Sequence, residues 1–107
     1  MISKKKRVTK GVFQILMKEG KTFSTPLFLF RFMKSDTPQY AFVAPKGIFK
    51  KATERNKFRR MGYNIIRFIP IKSGLGVFIY KKQAITSTNQ EIKENIIFIL
   101  KKTGIYQ

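Results

Sequence analysis

Between Lys46 and Ile66 the chain reads KGIFKKATERNKFRRMGYNII, and the rest of the sequence reads as a scaffold for this stretch. Lys46, Lys50, Lys51, Arg55, Lys57, Arg59 and Arg60 stand there against one acid, Glu54. Wound at ~100° per residue, Ala52, Arg55, Asn56, Arg59 and Tyr63 fall on one face, while Phe58, Met61 and Ile65 fall roughly opposite. One side of such a helix can lie in a core. The other presents two guanidinium forks, an amide and a phenol at a fixed spacing, with a small Ala that lets a bulky partner approach. Arginine forks match phosphate oxygens bidentately, which a run of lysines does not do.

The whole chain shares this bias. Its 107 residues carry 23 Lys and Arg against 5 acids, a net charge of +18. Self-repulsion at that density is a folding cost that a polyanionic partner neutralises. Nucleic acid is the first such partner and an anionic membrane surface the second. The hydrophobic fraction of 43% is ordinary for a folded domain. Cysteine is absent, so there is neither a disulfide nor a thiolate metal site. No apolar run approaches the ~20 residues that span a bilayer, and Val8 to Met17 is interrupted by Thr9, Lys10, Gly11 and Gln14, unlike a signal peptide. A soluble, cytoplasmic protein is expected. Histidine is also absent, which removes the commonest general base and metal ligand. The five acids, Glu19, Asp36, Glu54, Glu91 and Glu94, are spread over different elements, whereas a two-metal nuclease site needs several converging carboxylates. No catalytic residue and no metal site of its own is expected.

Residues 1–8 form a basic arm. Thr9 is placed to cap a helix running to about Lys18, with Val12, Phe13, Leu16 and Met17 on its apolar face and Gly20 as its stop. Phe13 and Met17 read either as core or as an apolar wall against which bases stack. Pro26–Met33 (PLFLFRFM) alternates aromatic with other residues, the period of a strand, and Gln39–Ala44 is a second strand. The polar turn between them predicts an antiparallel hairpin. Arg31 either reaches solvent from an edge or lies on a sheet face that meets the ligand. The basic helix is expected from about Ile48 or Lys50 to Ile66, with Gly62 costing up to ~1 kcal/mol and marking a bend. Leu75–Lys81 is a third strand, reached by a crossover into the same sheet. Ser87 or Thr88 with Glu91 forms a capping box ahead of a last helix bearing Ile92, Ile96, Ile99 and Leu100 and closed by Thr103-Gly104. The order α-β-β-(β)-α-β-α predicts a single domain over 1–107, an α/β two-layer sandwich on a three- or four-stranded sheet. One sheet face beside the first helix is expected to remain as a groove.

Lys50–Arg60, KKATERNKFRR, resembles the arginine-asparagine signature of the bacterial ribonuclease P protein subunit. Lys51, Ala52, Arg55, Asn56, Arg59 and Arg60 match it, and Phe42-Val-Ala-Pro-Lys46 is similar to the strand that leads into it. The basic N-terminus, Phe13, Gly20, the aromatic strand, the Gly-Val-Phe-Ile-Tyr strand and the ending Leu100-Lys-Lys-Thr-Gly-Ile105 extend the likeness along nearly the whole chain. There are departures. Tyr63 and Asn64 replace an Arg-Glu, Gly47 replaces the second Lys of a pair, Met17 replaces the first helix's second cleft aromatic, and Arg31 falls on the strand's cleft aromatic.

The resemblance implies a left-handed strand–helix–strand crossover and a helix that packs on a large catalytic RNA, with Lys46, Lys50, Lys51, Arg55, Asn56, Arg59, Arg60 and Tyr63 as the contacts. It implies a groove holding the 5′ leader of precursor tRNA, for which Phe13, Met17, Phe30, Arg31 and Phe32 are the expected contacts. Hydrolysis would belong to the RNA and to Mg²⁺ bound mainly by it, with no membrane and no obligate protein partner. The rival readings are a structural RNA binder of the ribosomal-protein kind, a cationic membrane-surface protein, and a nuclease acting without RNA.

Overall fold

A computed structural model describes residues 10–36, 38–69, 71 and 73–104. The basic arm at 1–8 and the cap expected at Thr9 lie outside these. Helix α1 spans Lys10–Glu19, strands β1, β2 and β3 span Lys21–Ser24, Phe28–Met33 and Gln39–Val43, and helix α2 spans Ala52–Ile66. Strand β4, Leu75–Tyr80, and a short 3-10 turn at Lys82–Thr86 precede helix α3, Asn89–Thr103. The parenthetical third strand ahead of α2 is therefore present. No helix among the described residues is long and apolar enough to cross a membrane.

The sheet runs β1-β2-β4-β3. β2 and β3 do not form the expected hairpin. β4 lies between them, antiparallel to β2 and parallel to β3, with Phe78 opposite both Phe30 and Phe42. The reason lies in β4 itself: Val77, Phe78 and Tyr80 are all fully buried, and a strand apolar on both faces takes the centre of a sheet. The true hairpin is β1–β2. At its turn the buried Thr25 hydroxyl accepts from Phe28 N–H at 3.1 Å and donates to Asn95 Oδ1 at 2.7 Å, tying the turn to α3.

Pairing and alternation give the sheet two unlike faces. Phe28, Phe30, Phe32, Tyr40, Phe42, Phe78 and Tyr80 share one face, where α2 and α3 close over them. Phe30 and Phe78 lie 4.3 Å apart between ring centroids, and Phe42 stacks on Phe78 at 4.8 Å. Phe49, buried just before α2, packs on Phe58 and Tyr80. The Tyr80 hydroxyl donates to Phe58 O at 2.7 Å, and the Tyr40 hydroxyl to Ser73 O at 3.1 Å. Burial raises the pKa of both phenols, so both stay neutral.

The helix α2 buries Phe58, Gly62 and Ile66, one residue per turn. Gly62 marks a point of closest approach: a Cβ there would fall 2.4 to 2.6 Å from ring carbons of Phe42. The other sheet face is aliphatic and carries α1, which packs mainly on β2 and β4 and buries Leu16. α3 begins with the expected capping box, on Thr88 and Glu91, and ends at Gly104 in the left-handed region with φ 78°.

Candidate nucleic-acid interface

The residues singled out in the sequence lie mainly on two surfaces, the outward side of α2 and the aliphatic sheet face beside α1. On α2, Ala52, Thr53, Asn56, Lys57, Arg59, Arg60 and Asn64 are exposed. An Arg59 guanidinium N–H donates to the Asn56 side-chain oxygen one turn earlier. That contact uses one donor of the fork, and the Arg59 side chain stays exposed. Lys46, Lys50 and Lys51 are exposed at the turn that leads into the helix, where Ile48 and Phe49 N–H both bond Pro45 O. Cations at this end stand near the positive pole of the helix, so they raise the local potential further.

Two of the predicted residues have other duties. Arg55 is half-buried and donates from one nitrogen to Phe49 O at 2.8 Å and Lys50 O at 3.1 Å. It ties down the chain entering α2, so part of its donor set is committed. Tyr63 does not stand on the exposed face. Its ring meets Phe42 edge-on at 5.2 Å, and its hydroxyl accepts from Phe42 N–H at 3.3 Å. A donor on the outer edge of β3 is thereby covered, which protects an otherwise open strand edge. The angular spacing that puts Tyr63 with Arg59 is shallow, and the aromatic layer draws the ring inward.

Beside α1, the sheet face presents Leu29, Ala41, Val43 and Ile79, all half-buried. Phe13 is half-buried and Met17 is 38% exposed on the helix that borders this face. The groove expected there thus has an aliphatic floor. Phe30 and Phe32 do not contribute to it. Phe30 is 0% exposed and stacks on Phe32 within the core layer, and Phe32 turns its partly exposed edge to a different opening. That opening, about 660 Å³, lies at the end of the sheet between Lys21, Asp36 and Gly104. Strand parity is the signal that separates the two sets: in β2, β3 and β4 the rings occupy alternate positions, so one face collects every ring.

Arg31 has the parity of the aliphatic face. It donates to Thr22 Oγ1 at 2.8 Å, to Met17 O at 2.6 Å and to Leu16 O at 3.2 Å. A cation on the last carbonyls of a helix opposes the negative end of its dipole; here it adds a donor at Met17 O and a second one at Leu16 O, which also accepts from Gly20 N–H at 2.8 Å. Arg31 therefore anchors the C-terminal end of α1 to the sheet. Among the described residues no group of three His, Cys, Asp or Glu side chains converges.

A family model described as Ribonuclease P matches residues 2–104. The fold is similar to that of the RNase P protein from Staphylococcus aureus, with a TM-score of 0.81 at 18% identity, covering 92% of this chain and 94% of that one. It is also similar to the RNase P protein from Thermotoga maritima, with a TM-score of 0.75 at 29% identity, covering 84% of this chain and 89% of that one. No curated protein sequence matches.

Proposed function

The chain belongs to the Ribonuclease P protein family, and from that premise we propose that it works as the protein partner of a catalytic RNA in 5′ maturation of precursor tRNA in the cytoplasm. An RNA partner and a part in tRNA processing come with the family. The finer assignment rests on one observation above the others: α2 exposes Arg59, braced by Asn56, together with Lys57 and Arg60 on a helix whose opposite side is locked into the core. Cations fixed on a rigid element meet crowded phosphates without a large ordering cost. They displace condensed counterions, so binding weakens steeply as salt rises.

The groove beside α1 is assigned to the single-stranded 5′ leader. That face offers aliphatic carbons from Leu29, Ala41, Val43 and Ile79, with Phe13 and Met17 on the helix beside it. Such a surface grips a strand by its backbone charge and base faces with little sequence preference. Hydrolysis is assigned to the RNA and the Mg²⁺ it holds. The protein then acts by binding and positioning: neutralising repulsion between RNA segments lowers the Mg²⁺ needed for assembly, and holding the leader favours precursor over mature tRNA.

The test is cleavage of a 5′-extended precursor tRNA by a bacterial ribonuclease P RNA at limiting Mg²⁺, with and without the protein. Stimulation is expected from the wild type and is expected to fall in Arg59→Ala/Arg60→Ala. The salt dependence of RNA binding should lose about one unit of slope for each phosphate contact removed. Arg55 is left intact because its replacement would also release the backbone at Phe49 and Lys50. Tight RNA binding by the wild type with no stimulation would instead favour a structural RNA-binding protein.

A further inference from the structure

The segment that closes α2 places its side chains against the usual order of burial. Ile65, Ile66, Ile69 and Ile71 pack on or into the core, yet Phe68, the bulkiest apolar residue of the turn, is 77% exposed. Backbone hydrogen bonds hold residues 67–69 and 71. Arg67, Phe68 and Ile69 N–H bond to Tyr63 O, Ile65 O and Ile66 O at 3.0 to 3.3 Å, and Ile71 N–H bonds to Ile69 O at 2.9 Å. The ring is thus held outward by its neighbours, and the Arg67 guanidinium carbon stands 4.8 Å from its centroid. A cation over one side of a ring restrains it while leaving the other side open.

The surroundings indicate what meets the open side. Lys57, Arg60, Asn64 and Arg67 are all exposed, and at three- and four-residue spacing they form one stripe along α2. Arg67 continues that stripe because its backbone is still helical, φ −63° and ψ −21°. The stripe is about 15 Å long at the helical rise, and Phe68 lies at its end. A protein partner would need a broader apolar patch than a single ring among cations. A chain of phosphates carrying flat aromatic bases matches both features.

We propose that Phe68, backed by Arg67, is a stacking platform for an unpaired base of the partner RNA, with Lys57, Arg60 and Arg67 following the backbone that leads to it. This rests on the reading of the chain as an RNA-binding subunit. It adds a base contact at the far end of α2, distinct from both the Arg59–Asn56 pair and the groove beside α1. The contact tolerates any base, because every base offers a π face.

The chain contains no tryptophan, so Phe68→Trp creates a unique fluorescent reporter at an exposed position. Full-length F68W is titrated with a bacterial ribonuclease P RNA and, separately, with inorganic polyphosphate. Binding of the RNA is expected to quench the indole, and binding of polyphosphate, which has charge without bases, to leave it unchanged. Phe68→Ala and Phe68→Leu are expected to bind the RNA about 5- to 150-fold more weakly, the range for losing one base stack, while F68W keeps wild-type affinity and all variants keep the same salt slope. If wild-type protein binds and stimulates the RNA but Phe68→Ala matches it, or the indole ignores bound RNA, the platform is wrong and the subunit reading stands. If wild-type protein fails to bind the RNA, both fall.

Discussion

At the scale of single residues, close approach sets the tolerances. Gly62 lets α2 lie directly on the Phe42 ring, which is 3% exposed and has no room to retreat. Gly62→Ala gains ~1 kcal/mol of intrinsic helix propensity, but overpacking a core costs about 1–3 kcal/mol. At a separation below 3 Å the second effect wins. The variant is expected to lose up to about 2 kcal/mol, seen as a lower urea midpoint with an unchanged slope. A propensity argument alone predicts the opposite sign, and it reads Gly62 as a weak point in the helix. Gly76 stands in the same position toward Phe30, whose ring carbons would be 2.6 Å from an added Cβ. Both glycines make room for aromatic rings, and neither adopts an unusual backbone.

At the scale of elements, local signals were legible and partners were not. The capping box on Thr88, the four buried residues of α3 and the glycine stop of α1 all rest on chemistry within a few residues, and each is where the pattern puts it. The neighbour of β2 depends instead on a strand more than forty residues away, which no alternation pattern encodes. The same limit explains Phe30 and Phe32. Their spacing tells that they share a face with each other, but which face is covered depends on α2 and α3 coming down on it. Tyr63 went astray for a related reason: at a boundary position on the helix, the tertiary ring contact outweighs the angular average.

The cap of α3 also has a pH signature. Glu91 accepts from Thr88 N–H at 2.8 Å, and hydrogen bonds from the Thr88 backbone and then its side chain hold the carboxyl below the usual carboxylate range. A depressed folded-state pKa gives stability that is present above the unfolded value and lost as pH falls through the folded one. Glu91→Gln is therefore expected to flatten the acid side of a melting-temperature profile. Thr88→Ala, which removes the acceptor for Glu91 N–H, is expected to cost about 1 kcal/mol at neutral pH, measured by chemical denaturation.

At the scale of the molecule, charge dominates. With +18 on 107 residues, the folded state concentrates cations that the unfolded chain keeps farther apart. Any anion that collects on the folded surface stabilises it by mass action. Sulfate is expected to raise the melting temperature more than chloride at equal ionic strength, because α2 and its leading turn hold fixed clusters that a divalent anion bridges. Equal shifts would mean that general screening alone accounts for the effect.

The position of β4 has a consequence for how the protein is made. Its neighbours β2 and β3 both precede it in the chain, and so does α2, which must settle on the ring layer that β4 completes. Synthesis runs from the N-terminus, so until β4 is made the growing polypeptide holds two strands with no middle and a helix with nothing finished beneath it. The four-stranded sheet can assemble only after Tyr80 has left the ribosome. Until then a highly cationic, unfolded segment is tethered beside the largest concentration of RNA in the cell, and its first polyanion is the machine that made it.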